Sequence, residues 1–427
     1  MIERSEAASG RRNREKMRKA LEGIKVIQLA NFIAAAATGR YLADHGADVI
    51  LVESPKGDPI RYTQEQEGRP QNIKENVAWE YLNGNKRCIS INTKTEEGKE
   101  ALFKLLDGAD VLLTNWRLGA LQRAGLDYET LKERYPKLIY AMILGYGKTG
   151  PDKDLPGYDF TAFFGRGGYT QNLRRRGNDP ITMIPGLGDN NVGLMLAMGI
   201  ITALYNRQFT GKGDFVTTSL YETAIFNMSM MLLGVQYDGQ AHDYPISIYD
   251  NKNPFNGAYR TSDDRIIQCA CPDYNVRFEQ FLKAIGRQDL IDCGKYYPQT
   301  EMLANNLIKE FMDEIQKTFL EHDVKEMDEI LRKGDIPHSI AYSWDDIMND
   351  PQAHAVGAFY DVTCPNGVVR KATHTPVRLE SEGDIDGRTA PMIGEQGREI
   401  LSEIGYTDEK IDQMLADGSL YIWQDKE

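Results

Sequence analysis

Ile24-Lys25-Val26-Ile27-Gln28-Leu29, then Ile33-Ala34-Ala35-Ala36-Ala37-Thr38-Gly39 running on to His45, then Ala47-Asp48-Val49-Ile50-Leu51-Val52-Glu53: this stretch decides the fold. An apolar strand, a turn and helix of small residues, and a second apolar strand make a βαβ unit. Short, β-branched, uninterrupted strands of this kind belong in a parallel sheet covered on both faces. The alternation continues outward. Arg87 to Asn92, Asp110-Val111-Leu112-Leu113-Thr114 and Leu138 to Leu144 read as strands. Helical patterns fill Thr95 to Leu106, Leu118–Ala124 and Tyr128–Tyr135. Repeated β–α alternation predicts an α/β large domain built on a doubly wound, mostly parallel sheet, with ligands at the carboxyl ends of its strands.

Farther along, Asp214–Ser219 is followed by an apolar helix that runs through Leu233. Residues 240 to 260 turn rich in Asn, Asp, Pro and Tyr, and Tyr259 to Cys269 reads as a hairpin around a polar turn. With helices over Val276–Ile285 and Leu303–Phe319, this region predicts a smaller α+β domain. Strands near Phe359–Thr363 and Val368–Thr373 follow, then amphipathic helices at Gln396–Ile404 and Thr407–Leu415. The expected division is a solvated lead-in over 1–20, the first part of the large domain over 21–235, the small domain over 236–335, and a linker and return over 336–427.

At 427 residues, two or three domains are expected. The formal charge of −13 argues against nucleic acid or an anionic membrane as the main partner. An anionic ligand must then meet a local cluster of Arg and Lys. Five scattered cysteines suit a reduced, cytoplasmic setting. Cys269-Ala270-Cys271 is not a metal pair, because alternate strand residues face opposite ways, and no metal site is expected. No run reaches the length of a membrane span. Arg11 to Lys19 is basic, but no apolar segment follows it as a signal peptide requires.

The candidate chemistry lies in Gly186-Leu187-Gly188-Asp189-Asn190-Asn191-Val192-Gly193, where one carboxylate sits among glycines ahead of an apolar helix reaching Tyr205. A carboxylate at a helix N-terminus is expected to be held ionised by the dipole and free N–H groups. Amides of Gly186 and Gly188 can face a developing oxyanion. The plain alternative is an N-cap. Pro156-Gly157-Tyr158-Asp159 supplies a second carboxylate upstream. The segments after the strands carry Lys56, Lys94, Arg117 and Lys148, and with Arg61, Lys86 and Arg123 they predict a basic rim for phosphates. Gly186-x-Gly188 lacks the third glycine at the required offset, and no strand precedes it closely, so a nicotinamide site is discounted.

Four pieces, in this order, resemble the class III CoA-transferases, the family of formyl-CoA transferase and carnitine CoA-transferase. They are Leu21–Val26 leading to Gly46–Ile50, Asn85-Lys86-Arg87-Cys88-Ile89-Ser90-Ile91-Asn92, Gly186-Leu187-Gly188-Asp189, and the closing Gly394–Tyr406. Asn115-Trp116-Arg117 and Leu155–Phe164 look similar to the (R)-2-hydroxyacyl-CoA transferases within it, which serve amino-acid fermentation in anaerobes. The resemblance implies an interlocked homodimer, an acyl-CoA donor and a carboxylic acid acceptor such as an aryl-lactate or 2-hydroxyisocaproate. It also implies CoA as substrate with no tightly bound cofactor, and a 2-hydroxyacyl-CoA dehydratase as pathway partner.

By the same resemblance, Asp189 is the nucleophile. It attacks the donor thioester to give an aspartyl–acyl anhydride and CoA thiolate, which returns to form an aspartyl-CoA thioester. The acceptor carboxylate then exchanges through a second anhydride. Gly186, Gly188, Tyr158 and Asp159 would support the site. CoA contacts would fall at Ile33, Ala34, Ile91, Asn92, Thr93, Lys94, Asn115, Trp116, Arg117, Arg123, Pro156 and Gly157. Ala36 stands where the family usually has proline, and Asn251–Gly257 is not a polyglycine flap. Two other readings stay open: an α-methylacyl-CoA racemase, whose basic histidine would fall at Tyr158, and a CoA-binding protein without catalysis. Tyrosine is a poor base at neutral pH.

Overall fold

The computed structural model describes residues 18–237, 239–383 and 387–424; all but the end of the expected lead-in over 1–20 lies outside them. The chain forms two compact units. One holds the residues up to Gly168, Met183–Met228 and those from His354 onward, and the other holds Tyr169–Thr182 and Ser229–Ala353.

The first unit is α/β. Its strands are β1 (Lys25–Leu29), β2 (Asp48–Glu53), β3 (Arg87–Ile91), β4 (Val111–Thr114), β5 (Ile139–Leu144) and β6 (Phe215–Ser219). Its early helices are α1 (Ala34–Asp44), α2 (Val77–Asn83), α3 (Glu96–Asp107), α4 (Leu118–Ala124) and α5 (Tyr128–Arg134). The sheet runs β3-β2-β1-β4-β5-β6, all parallel, with Leu420–Tyr421 added antiparallel on the outer edge of β3. This is the doubly wound order, and its direction reverses between β1 and β4. Ile27, Ile50, Ile89, Leu112 and Tyr140 from five strands join Leu102, Leu105, Ile400 and Leu401 in one buried cluster. Both faces are covered, which is why these strands carry no polar alternation.

The helix Leu187–Thr210 packs on α1 through small residues. Thr38 Oγ1 donates to the Gly193 carbonyl at 2.9 Å, and a Cβ added at Gly193 would lie 2.7 Å from the Ala34 carbonyl oxygen. Backbones this close admit only glycine there. By length and composition this helix is apolar enough to cross a membrane, which corrects the expectation that no run is long enough. One of its faces packs on α1, so it serves as a core helix.

In the second unit, Ala258–Arg260, Ile266–Cys269 and His338–Ile340 form an antiparallel sheet. Its core stacks Phe255 on Tyr274 (centroids 4.8 Å) and on Phe281 (4.4 Å). The single helix expected over Leu303–Phe319 is two, Gln299–Ala304 and Ile308–Leu320, because Asn306 turns left-handed at φ 55°. The helix expected to reach Leu233 is likewise two, Leu220–Asn227 and Ser229–Gly234.

Candidate active site

The loops after β1 and β4 meet where the strand order reverses, and each holds the other. Asn115 Oδ1 accepts from the Asn31 amide at 3.1 Å, while Asn115 Nδ2 donates to the Asn31 carbonyl at 2.6 Å. The next residue, Phe32, sits at φ 61°, a left-handed conformation that costs a bulky L-residue about 1–2 kcal/mol. Both carboxylate oxygens of Asp58 accept its N–H, at 3.2 and 3.1 Å. Asp58 in turn donates its own N–H to Glu53 Oε1 at 2.9 Å. Burial, more than any neighbour, pushes the Asp58 carboxyl up to about 6.

A cavity of about 670 Å³ opens beside these loops, outside the carboxyl ends of the strands. Asp189 lines it, and so do Ile33, Ala34, Asn115 and Trp116. Arg117, Arg123, Pro156, Gly157 and Tyr158 line it too, whereas Gly186, Gly188 and Asp159, also expected at the site, are not among its lining residues. A smaller cavity of about 90 Å³ is lined by Ile91, Asn92, Thr93 and Lys94 and shares Trp116 with the larger one. Arg117 and Arg123 are exposed and form no ion pair among the described residues. The Asn115 side chain, by contrast, is spent on the Asn31 backbone. Trp116 Nε1 is buried with no hydrogen-bond partner.

Lys56, Lys148, Arg61 and Lys86 of the expected basic rim line neither cavity, and the last two are buried. Arg61 is fully buried, paired with Glu53 through Nε–Oε1 at 2.9 Å and Nη2–Oε2 at 3.0 Å, and lies 3.3 Å over the Trp79 ring. Lys86 is buried too, donating to the Ala36 carbonyl and to Asn83 Oδ1, both at 2.8 Å. Burial, then the nearby Arg40 charge, holds its pKa well below the ordinary lysine range. Residue type and position near a strand end did not show that these cations close internal gaps. Lys153, not singled out from the sequence, lines the large cavity instead.

Asp189 falls in the first turn of Leu187–Thr210, whose cap is Gly186 at φ 80°. The glycine amides do not turn to a vacant oxyanion position. Gly186 donates to Asp159 Oδ2 at 2.8 Å, and the amides of Gly188 and Asp189 face the same carboxylate. Asp159 Oδ1 is buried without a well-formed hydrogen bond. Asp159, in the π-helical segment Asp159–Gly165, thus caps the helix from outside it. A Cβ at Gly188 would meet Asp159 Oδ1 and the Phe163 ring at 2.3 Å, so this glycine is there for close approach.

The expectation that Asp189 is held ionised by the helix end therefore needs correcting. Burial, then the Asp159 carboxylate, pushes Asp189 up to about 7. Asp159 rises to about 6 through its own burial, restrained by the three amides. The Tyr81 hydroxyl, absent from the sequence-based set, lies 3.1 Å from a Cβ position at Gly186 and pairs with the Asn190 side chain. Burial and the Asp189 carboxylate push that phenol up, so it stays a proton donor. Its position in α2, ahead of Asn85-Lys86-Arg87, offered no periodic signal. Phe163 and Phe164 are core, 1% exposed, rather than cavity lining.

A partly buried carboxyl near neutrality and unpaired cations at a switch-point cavity, with a phenol close to the carboxyl, form a site suited to nucleophilic chemistry on an anionic ligand. Comparison with known proteins bears on that class. The family model for CoA-transferase family III matches residues 21–397. The chain is 44% identical over 404 residues to the cinnamoyl-CoA:phenyllactate CoA-transferase of Clostridium sporogenes, covering 95% of this chain and 98% of that protein. It is 38% identical to the (R)-2-hydroxy-4-methylpentanoate CoA-transferase of Clostridioides difficile, covering 92% and 97%. A crystal structure of a CAIB/BAIF family protein from Brucella suis superimposes with a TM-score of 0.77 at 28% identity, covering 91% of this chain and all of that one. The chain belongs to CoA-transferase family III.

Proposed function

We propose that this enzyme moves CoA from an acyl-CoA donor, such as an arylacryloyl-CoA, to an (R)-2-hydroxy acid with a bulky side chain, using Asp189 as nucleophile. One observation carries the reading: the Asp189 carboxyl opens into the same cavity as Arg117, Arg123 and the loops after β1 and β4. The volume suits an acyl group and pantetheine arm, and ligand sites of this size bury most of their occupant. The Asp189 oxygen attacks the thioester carbonyl, the C–S bond breaks, and CoA leaves as thiolate. The thiolate attacks the aspartyl carbonyl, releasing the donor acid and leaving an aspartyl-CoA thioester. The acceptor carboxylate attacks that carbonyl, and the thiolate then takes the acceptor's acyl group, restoring Asp189. With the glycine amides held by Asp159, the Tyr81 hydroxyl close to Asp189 is the candidate donor to a developing oxyanion.

The test is an acceptor panel of lactate, 2-hydroxy-4-methylpentanoate, phenyllactate and indolelactate with cinnamoyl-CoA as donor. Transfer to the bulky acids at rates well above lactate is expected, and transfer to none of the four defeats the proposal. Arg117→Ala should raise the Kd for CoA about tenfold, the loss of one charge-assisted phosphate contact, with the melting temperature unchanged. An unchanged Kd, read by calorimetry, returns Arg117 to the solvated surface.

A homodimer belongs to the same proposal. Leu194, Met198, Ile201, Tyr205 and Phe209 recur on an exposed stripe of Leu187–Thr210, and a second copy would cover them. The five cysteines are all free, which suits a cytoplasmic enzyme. A 2-hydroxyacyl-CoA dehydratase would consume the product.

A further inference from the structure

The aromatic residues around the site divide sharply. Phe163 and Phe164 are sealed in the core, whereas Phe32 is 40% exposed and Tyr158 56%. Those two rings stand edge to face, centroids 6.3 Å apart and planes at 89°, and both line the cavity that holds Asp189. Phe32 is also held in a conformation that glycine or asparagine adopts more readily (φ 61°). Its N–H is fixed by both oxygens of Asp58, and the preceding residue is clamped on both backbone groups by Asn115. A ring that merely filled space would need none of these restraints, and strained bulky residues concentrate where a side chain must be presented.

We propose that Phe32 and Tyr158 form an aromatic wall that selects acids carrying a ring beyond the 2-hydroxy carbon. This rests on the transferase reading above and names the determinant of its acceptor class. Edge and face of a ring pair complement a third ring and offer an aliphatic chain only area. The pantetheine arm is aliphatic, and the adenine of CoA is a full arm's length from its sulfur. The ring that meets this wall near Asp189 is therefore that of the acyl group.

The experiment compares kcat/KM for phenyllactate with that for 2-hydroxy-4-methylpentanoate, with one aliphatic acyl-CoA donor, in wild type, Phe32→Leu and Tyr158→Leu. Leucine keeps bulk and removes the ring, and Tyr158, exposed in a loop, gives a variant with little folding burden. The aryl-to-aliphatic ratio should fall about 3- to 10-fold in each variant, through KM for the aryl acid, with the donor KM unchanged. An unchanged ratio in active variants overturns the wall and leaves the transferase reading standing. A raised KM for CoA with both acids weakened alike also overturns it, assigning the rings to the cofactor arm. Wild-type enzyme transferring to neither acid removes both.

Discussion

Asp189→Ala is expected to lose CoA transfer by on the order of 10⁴- to 10⁶-fold while still binding CoA, because removing a covalent nucleophile leaves only positioning. Wild-type enzyme turned over with acceptor labelled by oxygen-18 in its carboxylate should carry label at Asp189, since the aspartyl oxygen regained at the last step comes from the acceptor. Turnover without label in the protein means direct exchange in a ternary complex and ends the assignment. In the proposed mechanism the same carboxyl sets the pH profile. Only its ionised form attacks, and its pKa is raised to about 7, so kcat/KM should fall as pH drops through that value. Asp159→Asn removes the neighbouring charge and should move the acid limb to lower pH. An unmoved limb shows that another group governs it. For stability the sign is reversed. A carboxyl whose pKa is raised on folding costs stability from the unfolded value upward, and the cost is complete once pH exceeds the folded value. Asp189→Asn should therefore gain more over wild type at pH 8 than at pH 5, and the difference should vanish only near about pH 4.

The parallel sheet was legible because β1, β2, β4 and β5 are short runs buried on both sides, so their apolar character is local and continuous. Helices α4 and α5 were read nearly to the residue for the same reason: each has a cap or a left-handed glycine at its end, Asp127 for one and Gly125 for the other. Sequence could not order the strands, since nothing in Leu420–Tyr421 announces an edge strand pairing with Ser90 and Ile91 far upstream. The site shows the same divide. Local motifs led to Asp189 in the first turn of its helix and to Arg117 and Pro156–Tyr158 on their loops. The ionisation of Asp189 depends instead on Asp159, 27 residues from the Gly186 amide that it captures. The basic rim was overread because a lysine or arginine near a strand end looks the same whether it meets solvent or closes a buried gap, as Lys86 and Arg61 do.

Arg61→Ala should destabilise the enzyme by about 3–5 kcal/mol, the cost of stranding one member of a buried ion pair. Glu53 would be left 5% exposed with its main counter-charge gone, and the Arg61 hydrogen bond to the Pro391 carbonyl and its packing on Trp79 would go too. The loss should depend on pH. Burial without a counter-charge penalises the ionised carboxyl, so the loss builds from the pH at which the unfolded chain ionises upward. Melting curves of wild type and variant should therefore diverge more at pH 8 than at pH 5. Arg61→Met with Glu53→Leu should recover much of the loss, because the pair is replaced rather than broken. The consequence reaches the site, for Glu53 accepts the Asp58 amide and Asp58 holds Phe32 in its strained turn. With Glu53 unpaired, that chain of contacts relaxes, and the aryl preference should weaken even at temperatures where the variant is folded. If instead Arg61→Ala melts within a degree of wild type at both pH values, Glu53 is satisfied without its partner, and the support assigned to this pair beneath the Phe32 turn is wrong.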